Sequence, residues 1–433
     1  MGLFGTSGIR RLFDNNLVYL ALQVGLAVGK LYGNVVVGSD TRTSSDALKH
    51  AVISGLLAGG ARCKDAGVAP TPTLGFAARE FDAGVMITAS HNPPEYNGIK
   101  LLNPDGAGFD TAQQAQLAAA LNDSPAVAPW DEIQQSDIQR DAVEQHIERI
   151  LQDFPDRFKL KVALDCGCGA ASVITPHLLR KLGCEVVEIN CYPSGFFPRG
   201  IEPVESNLEN LITATRKSGA ALGIAHDGDA DRIMAVDDRG RFIPGDKLLA
   251  IFARSVEARE VVTTIDASMA IDEMGFNVRR TRIGDTCVSE ELKKGGDFGG
   301  EPSGSWIFPG ISLCPDGIYA AAQIVAVASQ QGLSHMVDNI PSYPLLRGSI
   351  SSEEIAMPRL EAQLMTMEPS SVSNIDGVKL SFKDGWLLVR ASGTEPKIRL
   401  TAEAKSETRV HQLYDDGLKA IKDCIEGSKE RVG

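Results

Sequence analysis

A chain of 433 residues with 43% hydrophobic and 23% charged side chains has the balance of a folded globular protein, not of a disordered or fibrous one. At about 150 residues per domain it is expected to form three or four units. Forty-three Lys and Arg against 56 Asp and Glu leave a net charge of −13, which argues against partnership with nucleic acid or an anionic membrane surface. An anionic small-molecule ligand would need Arg and Lys gathered locally against that field.

The eight cysteines are too sparse for a disulfide scaffold, and the closest pair, Cys166 and Cys168, is not a C-x-x-C. Reduced thiols and a cytoplasmic location are expected. No apolar run reaches the roughly 18 residues of a membrane helix, and the start has no basic segment leading into an apolar one. Gly2 and Thr6 match the M-G-x-x-x-[ST] pattern, but a motif that short carries no weight.

In chain order, Val35 to Val37 reads as a buried strand, Ser39 to Thr43 as a loop, and Ser45 to Leu57 as a helix with Leu48, Val52 and Leu56 spaced by four. Ala83 to Thr88 is a further strand, and Asn97-Gly98 reads as a tight turn. Val143, Ile147, Ile150 and Phe154 mark one face of a connecting helix, after which a boundary is placed near residue 154. The second unit runs from the strand Leu160 to Leu164 through Gly167 to Gly169 into a helix before Leu182, then the strand Glu185 to Ile189. Ala221 to Ala225 follows as a strand. In the third, Val261 to Ile265 and Val278 to Ile283 are strands around a helical Met269 to Met274. Strands alternating with helices imply parallel sheets. After Pro344 come short strands, a hairpin turn at Asp384-Gly385 and a closing helix around Val410 to Ile425. The expectation is three mixed α/β domains with largely parallel sheets and a smaller α+β domain, divided as 1–153, 154–245, 246–343 and 344–433.

Three kinds of segment carry chemistry. Thr88-Ala89-Ser90-His91-Asn92-Pro93-Pro94 lies where an apolar strand ends and two prolines prevent a helix from starting, so Ser90 is presented on a loop. Asp227-Gly228-Asp229-Ala230-Asp231-Arg232 sets three carboxylates at alternate positions; hard oxygen ligands so crowded suit Mg²⁺, and without a cation they repel. Gly5 to Arg10, Gly38 to Arg42 and Arg390 to Pro396 mix small residues, hydroxyls and Arg, the means by which loops grip phosphate.

These segments resemble the α-D-phosphohexomutases. The T-A-S-H-N-P, D-G-D-x-D-R, G-E-x-S-G and R-x-S-G-T-E-P motifs occur here in the family's order and span nearly the whole chain. The resemblance implies four domains around a central cleft, each giving one loop. It implies a phosphoryl group carried on Ser90 and one Mg²⁺ held by Ser90 with Asp227, Asp229 and Asp231. Arg10, Lys100 and Arg232 match positions near the transferring group, and His91 is expected to orient it or shuttle protons. Glu301 and Ser303 match residues that hold sugar hydroxyls. Arg390, Ser392, Gly393 and Thr394, extended by Arg399, match a clamp on the other phosphate. The implied reaction exchanges hexose 6-phosphate and 1-phosphate through a sugar 1,6-bisphosphate, which also serves as activator, in a monomer or homodimer.

Ser305 stands where many members carry His after G-E-x-S-G, which leaves Asp285 or Lys100 to handle protons. Gly284-Asp285, where phosphomannomutases tend to carry Gly-His, resembles the phosphoglucosamine mutase branch, so glucosamine 6-phosphate is the expected substrate. The alternatives are a mannose or glucose phosphate with the same mechanism, or a metal-dependent sugar phosphatase. Gly167-Cys168-Gly169 approximates a dinucleotide fingerprint but lacks the third glycine, and no G-x-S-x-G elbow of a serine hydrolase occurs.

Overall fold

The structure, a computed structural model, describes residues 4, 5, 8–123, 126–351, 357–391 and 397–429. It divides into two compact units, a larger one of Gly2–Val261 with Gly284–Asn339 and a smaller one of Val262–Ile283 with Ile340–Gly433. No helix among the described residues is long and apolar enough to cross a membrane.

The larger unit opens with a six-stranded sheet of β1 (Ile9–Leu12), β2 (Asn34–Ser39), β3 (Arg62–Val68), β4 (Ala83–Ile87), β5 (Tyr96–Leu102) and β6 (Ser136–Ile138), in the order β1-β5-β4-β2-β3-β6. β4, β2, β3 and β6 run parallel, while β5 and β1 are antiparallel additions at one edge. The helices Asn15–Leu31 and Ser45–Ala58 cover it, and Leu17, Val24, Val28, Leu48, Val52 and Leu56 are buried with Val35, Val37 and Val85 in one core. Asp14 starts the first helix by accepting the Leu17 N–H at 2.9 Å.

The second sheet consists of β7 (Lys161–Asp165), β8 (Glu185–Ile189), β9 (Leu222–His226), β10 (Ile233–Val236) and β11 (Phe242–Ile243), ordered β11-β10-β9-β7-β8. Again a parallel group, β9-β7-β8, carries antiparallel strands at one edge. The chain then forms β12 (Glu260–Thr264), β13 (Asn277–Thr281) and the antiparallel hairpin of β14 (Phe298–Glu301) and β15 (Ser305–Ile307). The fold class is the expected one, mixed α/β segments followed by a smaller α+β segment.

Several local readings change. Asn97 and Gly98 are not a turn but lie inside β5. A Cβ on Gly98 would meet the Ile9 carbonyl oxygen at 2.0 Å and that of Thr88 at 2.9 Å, so the glycine serves a close approach of three backbones. Met269–Met274 is a 3₁₀ helix, and a 3₁₀ turn at Ala170–Val173 precedes the short helix Thr175–Lys181.

In the smaller unit β16 (Leu345–Ser351), β17 (Ser371–Ser373), β18 (Val378–Phe382), β19 (Gly385–Ala391) and β20 (Lys397–Ala404) form a wholly antiparallel sheet ordered β16-β20-β19-β18-β17. Phe382 pairs with Gly385, so the hairpin turn is Lys383-Asp384, one residue earlier than expected. Alternation along β19 decides its two faces. Leu387 and Val389 join Leu360, Leu364, Val410 and Leu413 of the helices Met357–Leu364 and Glu407–Lys429, while Trp386 and Leu388 pack on Ile265.

Beside Trp386 lies a buried lysine. Lys379 donates to the Ile265 carbonyl at 2.6 Å and sits 4.2 Å from the centre of the Trp386 ring. Burial, reinforced by Arg280, pushes it down to about 7. The unfolded chain keeps this lysine charged up to about 10.5, so between about pH 7 and 10.5 the unfolded state binds more protons and stability rises with pH. The thermal midpoint of the protein relative to its Lys379→Met variant is expected to climb between pH 7 and pH 10; a difference independent of pH would show that the lysine is charged inside the fold.

Candidate active site

Three loops converge at the carboxyl ends of parallel strands, the position where open α/β sheets gather ligand-binding residues. The loop after β9 runs from Asp227 to Arg232 and returns into β10. His226 Nδ1 lies 3.2 Å from the Arg232 carbonyl, and the Arg232 N–H donates to Asp227 Oδ1 at 3.2 Å. Alternate residues therefore face the same way, and carboxylate oxygens of Asp227, Asp229 and Asp231, all buried, lie within 4.8 Å of one another.

Three buried carboxylates repel unless cations answer them. Lys100 of β5 supplies one, its Nζ donating to Asp229 Oδ2 at 2.7 Å and Asp231 Oδ2 at 2.5 Å. The Thr71 hydroxyl also donates to Asp229 Oδ2, at 2.6 Å. Burial works against the charge on Lys100, but Asp229 and Asp231 hold it above the ordinary lysine value. Burial likewise opposes the charge on Asp229, which Lys100 nonetheless holds below the usual carboxylate range. Asp227 is pushed well up by burial and by Asp231 and Asp229. One cation is thus not enough, and Asp229 Oδ1 and Asp231 Oδ1 are buried with no hydrogen-bond partner among the described residues. Orphaned carboxylate oxygens beside a third carboxylate are the donor set of a hard divalent cation.

Ser90 reaches this cluster from the loop after β4. Its Oγ donates to Asp227 Oδ2 at 2.7 Å and lies 3.3 Å from His91 Nδ1. The residue holds a φ of 51°, uncommon for a side chain with a Cβ and sustained only where surroundings enforce it. Arg42 enforces it. Nη2 donates to the carbonyls of Ser90 at 2.8 Å and Asn92 at 2.7 Å, and Nη1 to those of Pro93 at 2.7 Å and Tyr96 at 2.9 Å. Its Nε pairs with Asp40 at 3.1 Å, both side chains being buried. All five N–H groups of the guanidinium are committed, so the Gly38 to Arg42 loop, expected to grip phosphate, instead builds the serine loop. Asp40 also accepts from Ser45 at 2.6 Å and from Thr88 at 2.7 Å, and Thr88 Oγ1 accepts the Ser90 N–H at 2.8 Å.

Arg10 approaches along β1, donating to Asn92 Oδ1 at 3.2 Å, and Arg232 pairs with Glu202 at 3.1 Å. Burial and the charges of Arg232 and Arg10 push His91 down to about 2, so its imidazole stays neutral. Asp285 opens the helix Asp285–Leu292 and joins Lys100, Thr71 and Asp231 around one pocket. Glu301, at the end of β14, accepts the Gly284 N–H at 2.8 Å and pairs across the hairpin with buried Ser305. Ser303 is exposed at the turn between them.

In the smaller unit Arg390 and Arg399 stand directly opposite on β19 and β20. Like charges so placed are unfavourable unless an anion answers them, and Asp376 reaches Arg390 Nε at 3.5 Å. Ser392, Gly393 and Thr394, like Thr6 and Ser7 of the first loop, lie outside the described residues.

Thr71 and the Asp40–Arg42–Thr88 scaffold were not expected. Thr71 is 158 residues from Asp229, and nothing in its own segment marks it. An Arg42→Lys variant keeps one charge but cannot reach four carbonyls and Asp40 together. It is expected to lose about 3 kcal/mol of stability and ~10²-fold in turnover through displacement of Ser90, as read by thermal melting and by the rate of any reaction that Ser90→Ala abolishes.

Four family models match the chain in succession. Phosphoglucomutase/phosphomannomutase α/β/α domains I, II and III match residues 1–127, 142–240 and 244–343, and the C-terminal domain of that family matches 354–420. A protein of Methanocella arvoryzae named probable phosphoglucosamine mutase is 47% identical over 436 residues, covering 98% of this chain and 99% of its own. The phosphoglucosamine mutase of Methanococcus maripaludis is 41% identical, with 98% and 99% covered. The crystal structure of a phosphoglucomutase/phosphomannomutase family protein from Burkholderia thailandensis superposes with a TM-score of 0.85 at 27% identity, with 97% of each chain covered. A buried aspartate triplet with a serine hydroxyl set on it, in a chain matched by these models almost from end to end, belongs to the phosphoglucomutase/phosphomannomutase family of phosphohexomutases.

Proposed function

We propose that this phosphohexomutase interconverts glucosamine 6-phosphate and glucosamine 1-phosphate, with Ser90 as the phosphoryl carrier. The observation that carries the assignment is the Ser90 hydroxyl bonded at 2.7 Å to Asp227, inside a triplet of buried carboxylates. A serine in that place has an acceptor for its proton and, once phosphorylated, sets its charge where a cation belongs. Asp227, Asp229 and Asp231, with the phosphoryl group of Ser90, would hold one Mg²⁺, which when bound supplies charge neutralisation at the phosphoryl oxygens.

In this reading Arg10, Lys100 and Arg232 gather positive charge around the transferring group. Neutral His91 donates or accepts a hydrogen bond at the Ser90 oxygen without adding charge. Lys100, held as a cation by two aspartates, serves as a donor, which leaves Asp285 to take the proton of the attacking sugar hydroxyl. Glu301 and Ser303 hold sugar hydroxyls. Arg390 and Arg399, with Ser392, Gly393 and Thr394, grip the phosphate that is not being transferred. A glucose- or hexosamine-type 1,6-bisphosphate is the intermediate and the activator.

Gly284-Asp285 and the names carried by the two archaeal relatives support the amino sugar. Domains are placed at 1–153, 154–245, 246–343 and 344–433, and the enzyme is assigned to the cytoplasm as a monomer or homodimer.

A coupled assay with the 6-phosphates of glucosamine, mannose, glucose and N-acetylglucosamine, in Mg²⁺ and a catalytic amount of bisphosphate, tests the reading. Glucosamine phosphate is expected to be isomerised fastest, chelation to abolish turnover, and Ser90→Ala to lose at least ~10³-fold. A clear preference for mannose phosphate would overturn the amino-sugar reading of Gly284-Asp285. Phosphate release that survives Ser90→Ala would make the enzyme a phosphatase.

A further inference from the structure

Cys166 and Cys191 are brought together by strand pairing. β7 and β8 run parallel with Asp165 opposite Ile189, and the two cysteines follow these residues by one and by two positions. Their sulfurs lie 3.3 Å apart. Cys166 is wholly buried, whereas Cys191 is partly exposed at the start of a surface loop whose next residue, Tyr192, is 73% exposed. Burial pushes the Cys166 thiol well up, and the hydrogen bond between the sulfurs draws Cys191 below the ordinary thiol value. An accessible thiol of raised acidity is thus backed by a buried one in contact with it, the arrangement of an attacking and a resolving cysteine.

What lies under the metal loop gives this pair its consequence. Asp165, next to Cys166, accepts from the Gly167 N–H at 2.8 Å, from Asn190 Nδ2 at 3.1 Å and from Arg199 Nε at 2.9 Å. Arg199 in turn donates to the carbonyl of His226, the residue before Asp227, at 2.7 Å. The Ala170 N–H donates to the Gly228 carbonyl at 2.9 Å, and a Cβ on Gly169 would meet that oxygen at 2.7 Å. The turn that carries Cys166 is therefore the floor of the aspartate loop, with no slack between them.

We propose that Cys166 and Cys191 are a redox-sensitive dithiol, which a hydroperoxide oxidises to a disulfide that displaces the aspartate loop and lowers turnover. The Cys191 thiolate attacks the peroxide, breaking its O–O bond to give Cys191 sulfenic acid and hydroxide or alkoxide, which takes up a proton. Cys166 then attacks the sulfenic sulfur and its proton leaves with the hydroxyl as water. Two thiols are oxidised while one hydroperoxide is reduced. A disulfide of about 2.05 Å draws the sulfurs together by roughly 1.2 Å from their 3.3 Å contact. A shift of that size under the ligands is large on the scale of catalytic alignment.

The effect on turnover rests on the mutase reading; the bond itself does not. The full-length enzyme, reduced and then treated with hydrogen peroxide, is expected to lose two titratable thiols and to yield a linked peptide whose fragments place the bond between Cys166 and Cys191, not Cys168 or Cys184. Mutase activity should fall ~10-fold or more and return with dithiothreitol. Cys191→Ser should keep basal activity and be insensitive, while Cys168→Ser should respond as the parent does. If the chain turns over no sugar phosphate, the rise in thermal midpoint on adding Mg²⁺ replaces turnover as the readout and is expected to shrink on oxidation. The proposal is overturned by a link to another cysteine, by loss of activity that persists in Cys191→Ser, or by a closed bond that changes neither turnover nor the Mg²⁺ response.

Discussion

Three aspartates buried within 4.8 Å of one another are the constraint that the rest of the site answers. Like charges out of water are costly unless cations or protons relieve them. Lys100 is aimed at two of the carboxylates, Thr71 adds a donor, and Arg232 closes the loop from its own backbone. Even so, Asp227 is driven toward its protonated form and two oxygens have no partner among the described residues. Charge is left over in this arrangement, and a buried group of carboxylates with unanswered oxygens is one that could hold a metal ion.

The serine is held to that cluster by a second buried charge. The Arg42 guanidinium gathers the carbonyls of residues 90, 92, 93 and 96, and Asp40 fixes the guanidinium. Neither needs to touch substrate. Their work is to keep Ser90 at a positive φ, so that its hydroxyl meets Asp227 across 137 residues of sequence. Asp40 is pushed up by burial, while Arg42, Ser45 and Thr88 pull it back down. The pair is an expensive way to shape a loop, and it replaces the freedom of a glycine with a determined geometry.

Much of this was legible from residue order. Alternating carboxylates in Asp227 to Asp231 put three carboxylates on one side of a loop, and the prolines after Ser90 kept its segment from becoming a helix. Strands were found by their β-branched runs, as at buried Val35 to Val37 and at the partly exposed Glu185 to Ile189. Misreadings arose where a local signal had a distant cause. Asn97-Gly98 has the composition of a turn, yet Gly98 is there because the backbones of Ile9 and Thr88 press on it from other strands. Arg42 sits in a loop composed like a phosphate site, and only the folded chain shows its donors already taken.

By itself, then, the sequence determined the fold class and the family, and it singled out Ser90 and the three aspartates as candidates, because each is written in a short contiguous pattern. Tertiary structure alone decided the protonation and partnership of those groups. Lys100 remains a cation because β5 brings it to Asp229 and Asp231, and His91 is neutral because it is half-buried beside Arg10 and Arg232. It also decided that Cys166 should face Cys191. Charge state and contact depend on what surrounds an atom in space, and here those neighbours are up to 158 residues away along the chain.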